Sequence, residues 1–410
     1  MYRETRREQI IQLLRKQGQS SVVYLAEMFQ VTKETIRSDL AFLQKAGLIV
    51  RHHGGASLKK HLMQTELIQH DDLNISLLMK SHPYQTRSFH HHQVNQQRMA
   101  GKVCVFGSFN VDIVAKVERF PKNGETLIAR ETTFGPGGKG ANQALAVHSA
   151  GAQVHFATKV GKDQFNAFAR NHLESSGMNS FTLYESDRCT TGSAVIYVND
   201  EGENMIAISP GANQNITEQE TAELIPYISE SDVLLVQLEN NFDAIDRVLQ
   251  LAKGLKVQVI LNPAPYSPEV ERFLPYIDLI TPNETEASQL SGIEISDIAS
   301  AKSAALAIHE KSGKHVLITM GGQGVVLFDG EKYAHIPAYS AVPVDTTGAG
   351  DAFNGALAAS LAKGKNLTQA ALYATAFASL AVERAGAANM PTESMVDARM
   401  IQQTISVNAL

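Results

Sequence analysis

Four short apolar runs, each ending in polar or glycine residues, constrain this chain more than any other feature. Residues 233–237 lead into Leu238-Glu239, residues 257–261 into Asn262-Pro263-Ala264-Pro265, and Leu279-Ile280-Thr281-Pro282 into Asn283-Glu284-Thr285-Glu286. His315-Val316-Leu317-Ile318-Thr319 leads into Met320-Gly321-Gly322-Gln323-Gly324. Runs this short and this apolar read as strands covered on both faces, as in a parallel sheet. An earlier run, Val103-Cys104-Val105-Phe106, ends the same way in Gly107-Ser108, with Asn110 and Asp112 at its C-terminal edge. Polar and glycine residues at the same end of every strand predict an α/β, doubly wound, mostly parallel (Rossmann-like) sheet with one shared cleft.

At 410 residues the chain exceeds one ordinary domain, so two are expected. The net charge of −6 hides an asymmetry: residues 1–100 carry 14 Lys and Arg against 8 Asp and Glu, and the remainder 22 against 34. A basic head on an acidic body assigns an anionic polymer to the head. Nowhere do about 18 apolar residues run together, so no membrane span is expected. The first residues, Met1-Tyr2-Arg3-Glu4-Thr5-Arg6-Arg7, are charged with no apolar stretch behind them, unlike a secretory leader. Cys104 and Cys189 make neither a metal pattern nor a disulfide framework, and a reducing cytoplasm is the expected location.

Within the head, residues 6–16 read as a helix with Ile10, Ile11, Leu13 and Leu14 as its apolar stripe, stopped at Gly18. Ser20-Ser21 offers an N-cap to a second helix carrying Val23, Leu25, Ala26 and Phe29. Thr32-Lys33-Glu34-Thr35 opens a third, with Ile36, Leu40 and Leu43 on one face and Lys33, Thr35, Arg37 and Ser38 on the other. Residues 48–56 read as a strand pair about a glycine turn. Three short helices and a β wing make a winged helix-turn-helix, whose third helix enters the major groove while the wing touches the backbone. Val31-Thr32-Lys33-Glu34-Thr35-Ile36-Arg37-Ser38-Asp39-Leu40, with Gly47-Leu48 and Arg51-His52-His53-Gly54-Gly55-Ala56, resembles the head of the DeoR family of bacterial repressors. Ser38 stands where that family usually has a second Arg. The resemblance covers residues 1–56 and implies DNA binding through Lys33, Thr35, Arg37 and Arg51; a helical domain used only for dimerisation is the alternative. Residues 57–100 read as a linker with one helix over residues 67–79. The adjacent His90-His91-His92 point in different directions and lack a spaced third ligand.

The body, residues 101–410, carries two glycine-rich stretches. Gly135-Pro136-Gly137-Gly138-Lys139-Gly140-Ala141-Asn142 leads into a helix through Ala150. It is no Walker A loop, because Gly140 follows Lys139 where a Ser or Thr for Mg²⁺ is needed. Bare backbone at Gly137-Gly138 instead suits a polyhydroxylated ligand lying close, with Asn142 offering a donor and an acceptor. Read alone, Lys139 is a solvated surface charge. Leu127-Ile128-Ala129 and Thr132-Thr133-Phe134 read as a strand outside the main sheet, and residues 193–198 and 205–209 as a hairpin. Together they predict a small β lid that excludes water from the cleft.

In the second stretch, Val344-Asp345-Thr346-Thr347-Gly348-Ala349-Gly350-Asp351 runs into a helical segment from Ala352. A glycine-rich turn opening a helix aims N–H groups at an anion, and the helix dipole favours negative charge there. A carboxylate at that point suits a hydroxyl that must lose a proton while charge develops nearby. Alone, Asp351 is equally well an N-cap.

Gly138-Lys139-Gly140-Ala141-Asn142-Gln143-Ala144, Gly202-Glu203-Asn204, Gly211-Ala212-Asn213, Asn262-Pro263-Ala264-Pro265, Pro282-Asn283-Glu284-Thr285-Glu286-Ala287 and Asp345-Thr346-Thr347-Gly348-Ala349-Gly350-Asp351 occur in this order. With them the chain, from Lys102 onward, resembles the ribokinase (PfkB-type) family of sugar kinases. The resemblance implies ATP-dependent phosphorylation of D-ribose at O5, in a fold of the kind predicted above. Asp351 becomes the base and Gly348, Ala349 and Gly350 the anion hole. Asn110, Asp112, Gly138, Lys139, Asn142 and Glu239 fall at the sugar, and Asn283, Thr319, Gly321, Gly324 and Gly350 at ATP. Glu286 organises Mg²⁺ through water. Asp345, Thr347, Ala381, Arg384, Gly386 and Met390 form a K⁺ site, with Met390 where the family has Ser. The resemblance further implies a homodimer formed through the lid. Two other readings stay open: a sugar-responsive transcriptional regulator, and a kinase for deoxyribose or another sugar.

Overall fold

The computed structural model describes residues 19–29, 31–45, 49–52, 55–58, 101–178 and 180–409, with residues 6, 10, 13 and 14. These fall into two compact units. In the first, β1 (Gln19–Ser21) runs directly into α1 (Val22–Met28); α2 (Lys33–Lys45), β2 (Ile49–His52) and β3 (Gly55–Leu58) follow. Ser21 Oγ accepts from the Tyr24 N–H at 3.1 Å, and Thr32 Oγ1 from the Thr35 N–H at 3.2 Å, so short polar side chains open both helices. The predicted strand pair is a three-stranded antiparallel sheet in the order β1-β3-β2. The capping segment before α1 is extended, and β3 satisfies its backbone groups. Ile10, Leu14, Leu25, Phe29, Ile36 and Leu40 form the core. Arg6 Nε donates to Asp39 Oδ2 at 2.7 Å, with both side chains buried. Asp39 of the repressor-like motif is thus an internal ion-pair partner, and removing one side of such a pair costs about 3–5 kcal/mol. The remainder of the helix predicted over residues 6–16, the turn at 53–54 and residues 59–100, with the predicted helix at 67–79 and the histidine triplet, lie outside the described residues.

The second unit begins with β4 (Lys102–Phe106), β5 (Asn110–Lys116), β6 (Glu131–Gly137), α3 (Lys139–Ser149), β7 (Gln153–Gly161), α4 (Gln164–Ser175), β8 (Ser180–Ser186), β9 (Gly192–Val198) and β10 (Asn204–Ser209). It continues through α5 (Glu218–Glu223), α6 (Ile225–Ser229), β11 (Val233–Val236), α7 (Phe242–Leu255), β12 (Gln258–Leu261), β13 (Leu279–Ile280), α8 (Glu284–Ser291), α9 (Ile298–Ser312) and β14 (His315–Thr319). It ends with β15 (Val325–Phe328), β16 (Tyr333–Ile336), α10 (Ala349–Ala362), α11 (Leu367–Ala381), α12 (Glu393–Gln402) and β17 (Asn408–Ala409).

Ten strands make one sheet in the order β17-β16-β15-β14-β13-β12-β11-β4-β7-β8. From β8 to β14 the neighbours are parallel; from β14 to β17 they are antiparallel. The four apolar runs are β11 to β14. All their residues but Gln258, His315 and Thr319 at the strand ends are buried, because helices cover both faces. The chain steps outward from β4 to β7 and β8, then returns to the other side of β4 as β11. That reversal is the switch point beside which open α/β sheets bind ligands.

A separate four-stranded sheet, β10-β9-β5-β6, is the lid. Two boundaries differ from the sequence reading. Asn110 and Asp112 open β5 of the lid instead of trailing β4. The strand expected from Leu127 starts at Glu131 and runs through the glycines to Gly137. Pro136 is tolerated there because β6 is an edge strand. Against the main sheet, α10 is buried from Asp351 through Ala362 and packs on α3. A Cβ at Gly355 would run into Ala146 Cβ and the Gln143 carbonyl oxygen. This bare position lets the two helices touch and brings their first turns together. Among the described residues no helix is long and apolar enough to cross a membrane.

Candidate active site

Asp351 lies in the first turn of α10 and is 6 % exposed. Gly348 precedes the helix at φ 76°, a conformation costing a side chain about 1–2 kcal/mol. A Cβ there would also stand 2.7 Å from Ala387 Cβ. The Ala349 N–H bonds the Thr346 carbonyl at 3.2 Å. The donors left at the helix start are therefore the N–H groups of Gly350 and Asp351, which have no intrahelical acceptor. Asp345 braces the turn: its Oδ1 accepts from the Thr347 N–H and its Oδ2 from the Gly386 N–H, both at 2.9 Å. Burial pushes the Asp345 carboxyl up, but these two N–H groups together with the Thr347 hydroxyl outweigh it and hold the carboxyl below its ordinary value. The Asp345–Gly386 bond ties in the segment of Ala381, Arg384, Gly386 and Met390. There the Arg384 N–H bonds the Ala381 carbonyl at 3.0 Å, and Met390 packs on the core.

Asp351 Oδ2 accepts from Asn142 Nδ2 at 3.1 Å, and Oδ1 from Gln143 Nε2 at 3.0 Å. Both amides come from the first turn of α3. A cavity of about 180 Å³ opens in front, lined by Lys139, Asn283, Glu286, Thr319, Gly350 and Asp351 among others. Lys139 is thus no solvated surface charge. The Asp351 charge pushes its ammonium up; burial opposes this, and Glu239 and Glu286 add to it. Asn283 and Glu286 form a complete capping box on α8: Asn283 Oδ1 accepts from the Glu286 N–H at 2.8 Å and Glu286 Oε2 from the Asn283 N–H at 3.0 Å. Burial pushes the Glu286 carboxyl up, against the Asn283 N–H and Lys139. Thr319 pairs with Asn283 in an isolated parallel bridge. Gly321 faces open space, whereas a Cβ at Gly324 would strike the Ile336 carbonyl, so Gly324 has a structural reason of its own.

Toward the lid, Asn110 is buried at the start of β5, and its Oδ1 accepts from Asn213 Nδ2 at 2.9 Å. The Asn110 NH₂ group is thereby turned away from Asn213. Gly138 sits at φ 94°, and a Cβ there would lie 2.8 Å from the Asn110 nitrogen. Asp112 lies over Gly137. Burial first, then the charges of Glu239 and Asp351, push its carboxyl up to about 6. Glu239 accepts from the Lys139 N–H at 3.0 Å and from Ser108 Oγ. The sequence reading did not assign Gln143 and Asn213 roles of their own, although both stand in the glycine-bearing motifs it quoted. The helical register of α3 puts Gln143 beside Asn142, a signal for the first. Nothing local marks Asn213 as the partner of Asn110.

On the head unit, Lys33 and Arg37 are exposed and Thr35 half-buried along α2, and Arg51 is exposed on β2. Arg37 donates to Glu34 Oε2 at 3.0 Å.

Residues 6–61 match the DeoR-like helix-turn-helix domain, and residues 100–394 match the family described as pfkB family carbohydrate kinase. A ribokinase of Haemophilus influenzae is 37 % identical over 295 residues, 72 % of this chain and 96 % of that protein. A deoxyribokinase of Salmonella typhi is 33 % identical over 286 residues, 69 % of this chain and 93 % of that protein. The structure of Arabidopsis thaliana ribokinase complexed with ribose and ATP superposes with a TM-score of 0.67 at 32 % identity, covering 74 % of this chain and 99 % of that one. A buried carboxylate at a helix-start anion site, set at the switch point of this sheet, agrees with these matches: the chain belongs to the pfkB family of carbohydrate kinases.

Proposed function

We propose that this chain transfers the γ-phosphoryl group of ATP to O5 of D-ribose. The observation that carries this reading is the buried Asp351 carboxylate, with unpaired helix-start N–H groups behind it and Asn142 beside it. The sugar hydroxyl gives its proton to Asp351, its oxygen bonds the γ-phosphorus, and the bond to the departing ADP breaks. The N–H groups of Gly350 and Asp351, with Lys139, balance the charge on the transferring group. Asn110, Asp112, Gly138, Asn142 and Glu239 hold the sugar. Asn142 Oδ1 is buried with no partner, a polar vacancy that a sugar hydroxyl would fill. Asn283, Thr319, Gly321 and Gly324 lie on the ATP side.

Glu286 fits a hydrated Mg²⁺: it lines the cavity, with its Oε2 held by the Asn283 N–H. When bound, Mg²⁺ neutralises phosphate charge. Asp345 and the backbone carbonyls of Thr347, Ala381, Arg384, Gly386 and Met390 suit K⁺, a hard cation served by oxygen donors. Coupled ADP release across a panel of sugars, with and without K⁺, tests the reading. Ribose should be the best substrate, and an Asp351→Ala variant as active as wild type would sink the base assignment. Deoxyribose as the preferred sugar would favour the relationship to the deoxyribokinase.

A second reading rests on the exposed Lys33, Arg37 and Arg51: the head binds DNA, and the protein regulates transcription in response to sugar. Retention on DNA that weakens steeply with salt supports it; robust turnover with no retention at low salt counts against it. Phe134 (58 % exposed), Ile206 (49 %) and Ile208 (56 %) put apolar surface on the lid, which fits a homodimer. Light scattering that reports a monomer refutes this.

A further inference from the structure

Three buried side chains that the proposed reaction does not use converge behind Asp351. Gln237 follows β11, Asn262 follows β12 and Thr281 follows β13, so three neighbouring strands each supply one at the carboxyl end. Gln143 of α3 joins them. Its Nε2 donates to Asp351 Oδ1 at 3.0 Å and to Asn262 Oδ1 at 3.1 Å, and its Oε1 accepts from Gln237 Nε2 at 2.5 Å. Asn262 Nδ2 donates to the Thr281 carbonyl at 3.0 Å.

The direction of this chain is dictated from its far end. A carbonyl only accepts, so Thr281 demands the NH₂ group of Asn262 and turns Asn262 Oδ1 toward Gln143. Gln143 must answer with its own NH₂ group, whose second hydrogen is then aimed at Asp351. Gln237 closes the opposite end on Gln143 Oε1. Flipping the Gln143 amide would set its oxygen against the Asp351 carboxylate and Asn262 Oδ1, turning two bonds into two repulsive contacts. Gln237, whose own Oε1 is buried without a partner, adds a bond to Gln143 Oε1 but does not set its direction. The Thr281 hydroxyl reaches the other way, to Asn354 Oδ1 at 2.5 Å, and Asn354 Nδ2 donates to the Gly350 carbonyl at 2.8 Å. One residue of the sheet therefore anchors both the carboxylate and the anion turn.

We propose that Gln143 is a positioning residue for Asp351: held in the Gln237–Gln143–Asn262–Thr281 chain, it fixes the carboxylate with Oδ2 turned to the cleft. Asn142, the partner on Oδ2, stands beside the cleft where a sugar competes for it. Gln143 is 0 % exposed, out of reach of that competition. The inference rests on Asp351 being the base. The charged groups facing Asp351 are Lys139 of α3, Asp112 of β5 and Glu286 of α8. None of them is touched by a change at Gln143.

The test is steady-state kinetics of the full chain from pH 5.5 to 9 for Gln143→Leu, Gln237→Leu, the double variant and Asp351→Asn, with thermal melts of each. For Gln143→Leu, kcat should fall by about 10- to 100-fold with sugar KM within about threefold, because a carboxylate that swings by a fraction of an ångström loses rate before affinity. The acid limb of the kcat profile should move to higher pH, since a donor to the charged form is lost. Gln237→Leu, which touches Gln143 but not Asp351, should shift both in the same direction by a few-fold. The double variant should be no worse than Gln143→Leu alone. Wild-type kcat and pH limb in Gln143→Leu overturn the proposal. If that variant does not fold, the same result in Gln237→Leu overturns it. Inactive Asp351→Asn with both Gln variants unaffected defeats only this inference, whereas fully active Asp351→Asn defeats the base assignment beneath it.

Discussion

Replacing Asp112 with asparagine separates stability from ligand binding in this protein. The Asp112 carboxyl is half-buried beside Glu239 and Asp351, and burial chiefly, with those charges, pushes it up to about 6. A carboxyl raised in the folded state prefers its proton there, so its ionised form opposes folding. The opposition is absent below about pH 4, grows between about 4 and 6, and is complete above 6. Roughly two pH units at about 1.4 kcal/mol each set an upper figure near 3 kcal/mol. Asp112→Asn removes the charge within the same volume. Above pH 6 the ligand-free variant should therefore be more stable than wild type by about 1–3 kcal/mol, a gain of a few degrees in Tm, and the gain should vanish near pH 4. Binding runs the other way. On the proposed function the carboxylate accepts from sugar hydroxyls, so wild-type sugar KM should rise about fivefold between pH 6 and 5, whereas the variant should have a high KM that stays flat. Circular-dichroism melts from pH 4 to 8, paired with KM at each pH where the enzyme is active, measure both effects. A variant less stable than wild type at pH 7.5, or an offset that does not change with pH, refutes the reasoning.

Lys139→Met removes the cation that faces Asp351, Glu239 and Glu286, and kcat in the coupled ADP assay should fall by about 10²–10³ with little loss of folded protein. Gly348→Ala combines a left-handed backbone with the 2.7 Å approach to Ala387 Cβ. Thermal melts should show a loss of about 2–4 kcal/mol, with kcat down about 100-fold as the first turn of α10 shifts. Arg37→Ala should weaken DNA retention and lower the slope of log affinity against log salt by about one, read by fluorescence anisotropy.

Much of the fold was legible because strands covered on both faces must be apolar at their centres, and β11 to β14 are. Asn283 and Glu286 were read as contacts to ATP and Mg²⁺; the capping box they form is a local device of three-residue spacing. Other features were not. Asn110 and Asp112 follow β4 in sequence without a break signal, yet the chain leaves the main sheet at Gly107 and they open a lid strand. Gly135-Pro136-Gly137 reads as a loop and is an edge strand, because pairing with β5 outweighs the poor strand propensity of those residues. Ser20-Ser21 reads as a helix cap and also belongs to the strand Gln19–Ser21, because β3 lies alongside it. Asp39 stands within a motif taken for DNA recognition and is paired inside with Arg6.

The amino-acid sequence by itself determined the α/β class, the glycine turns and the carboxylate that stands at the second of them. Each depends on backbone conformation and side-chain type over a few neighbouring residues. Only the tertiary structure decided what surrounds that carboxylate. Gln143, Gln237, Asn262 and Thr281 are separated by up to 138 positions in the chain, and each alone is an ordinary polar residue at the end of a strand or the start of a helix. Their meaning comes from direction. The Thr281 carbonyl just past β13 can only accept, and that requirement passes through two amides to the oxygen of Asp351. Hydrogen-bond polarity of that kind exists only between groups that folding has brought within 3 Å or so of one another.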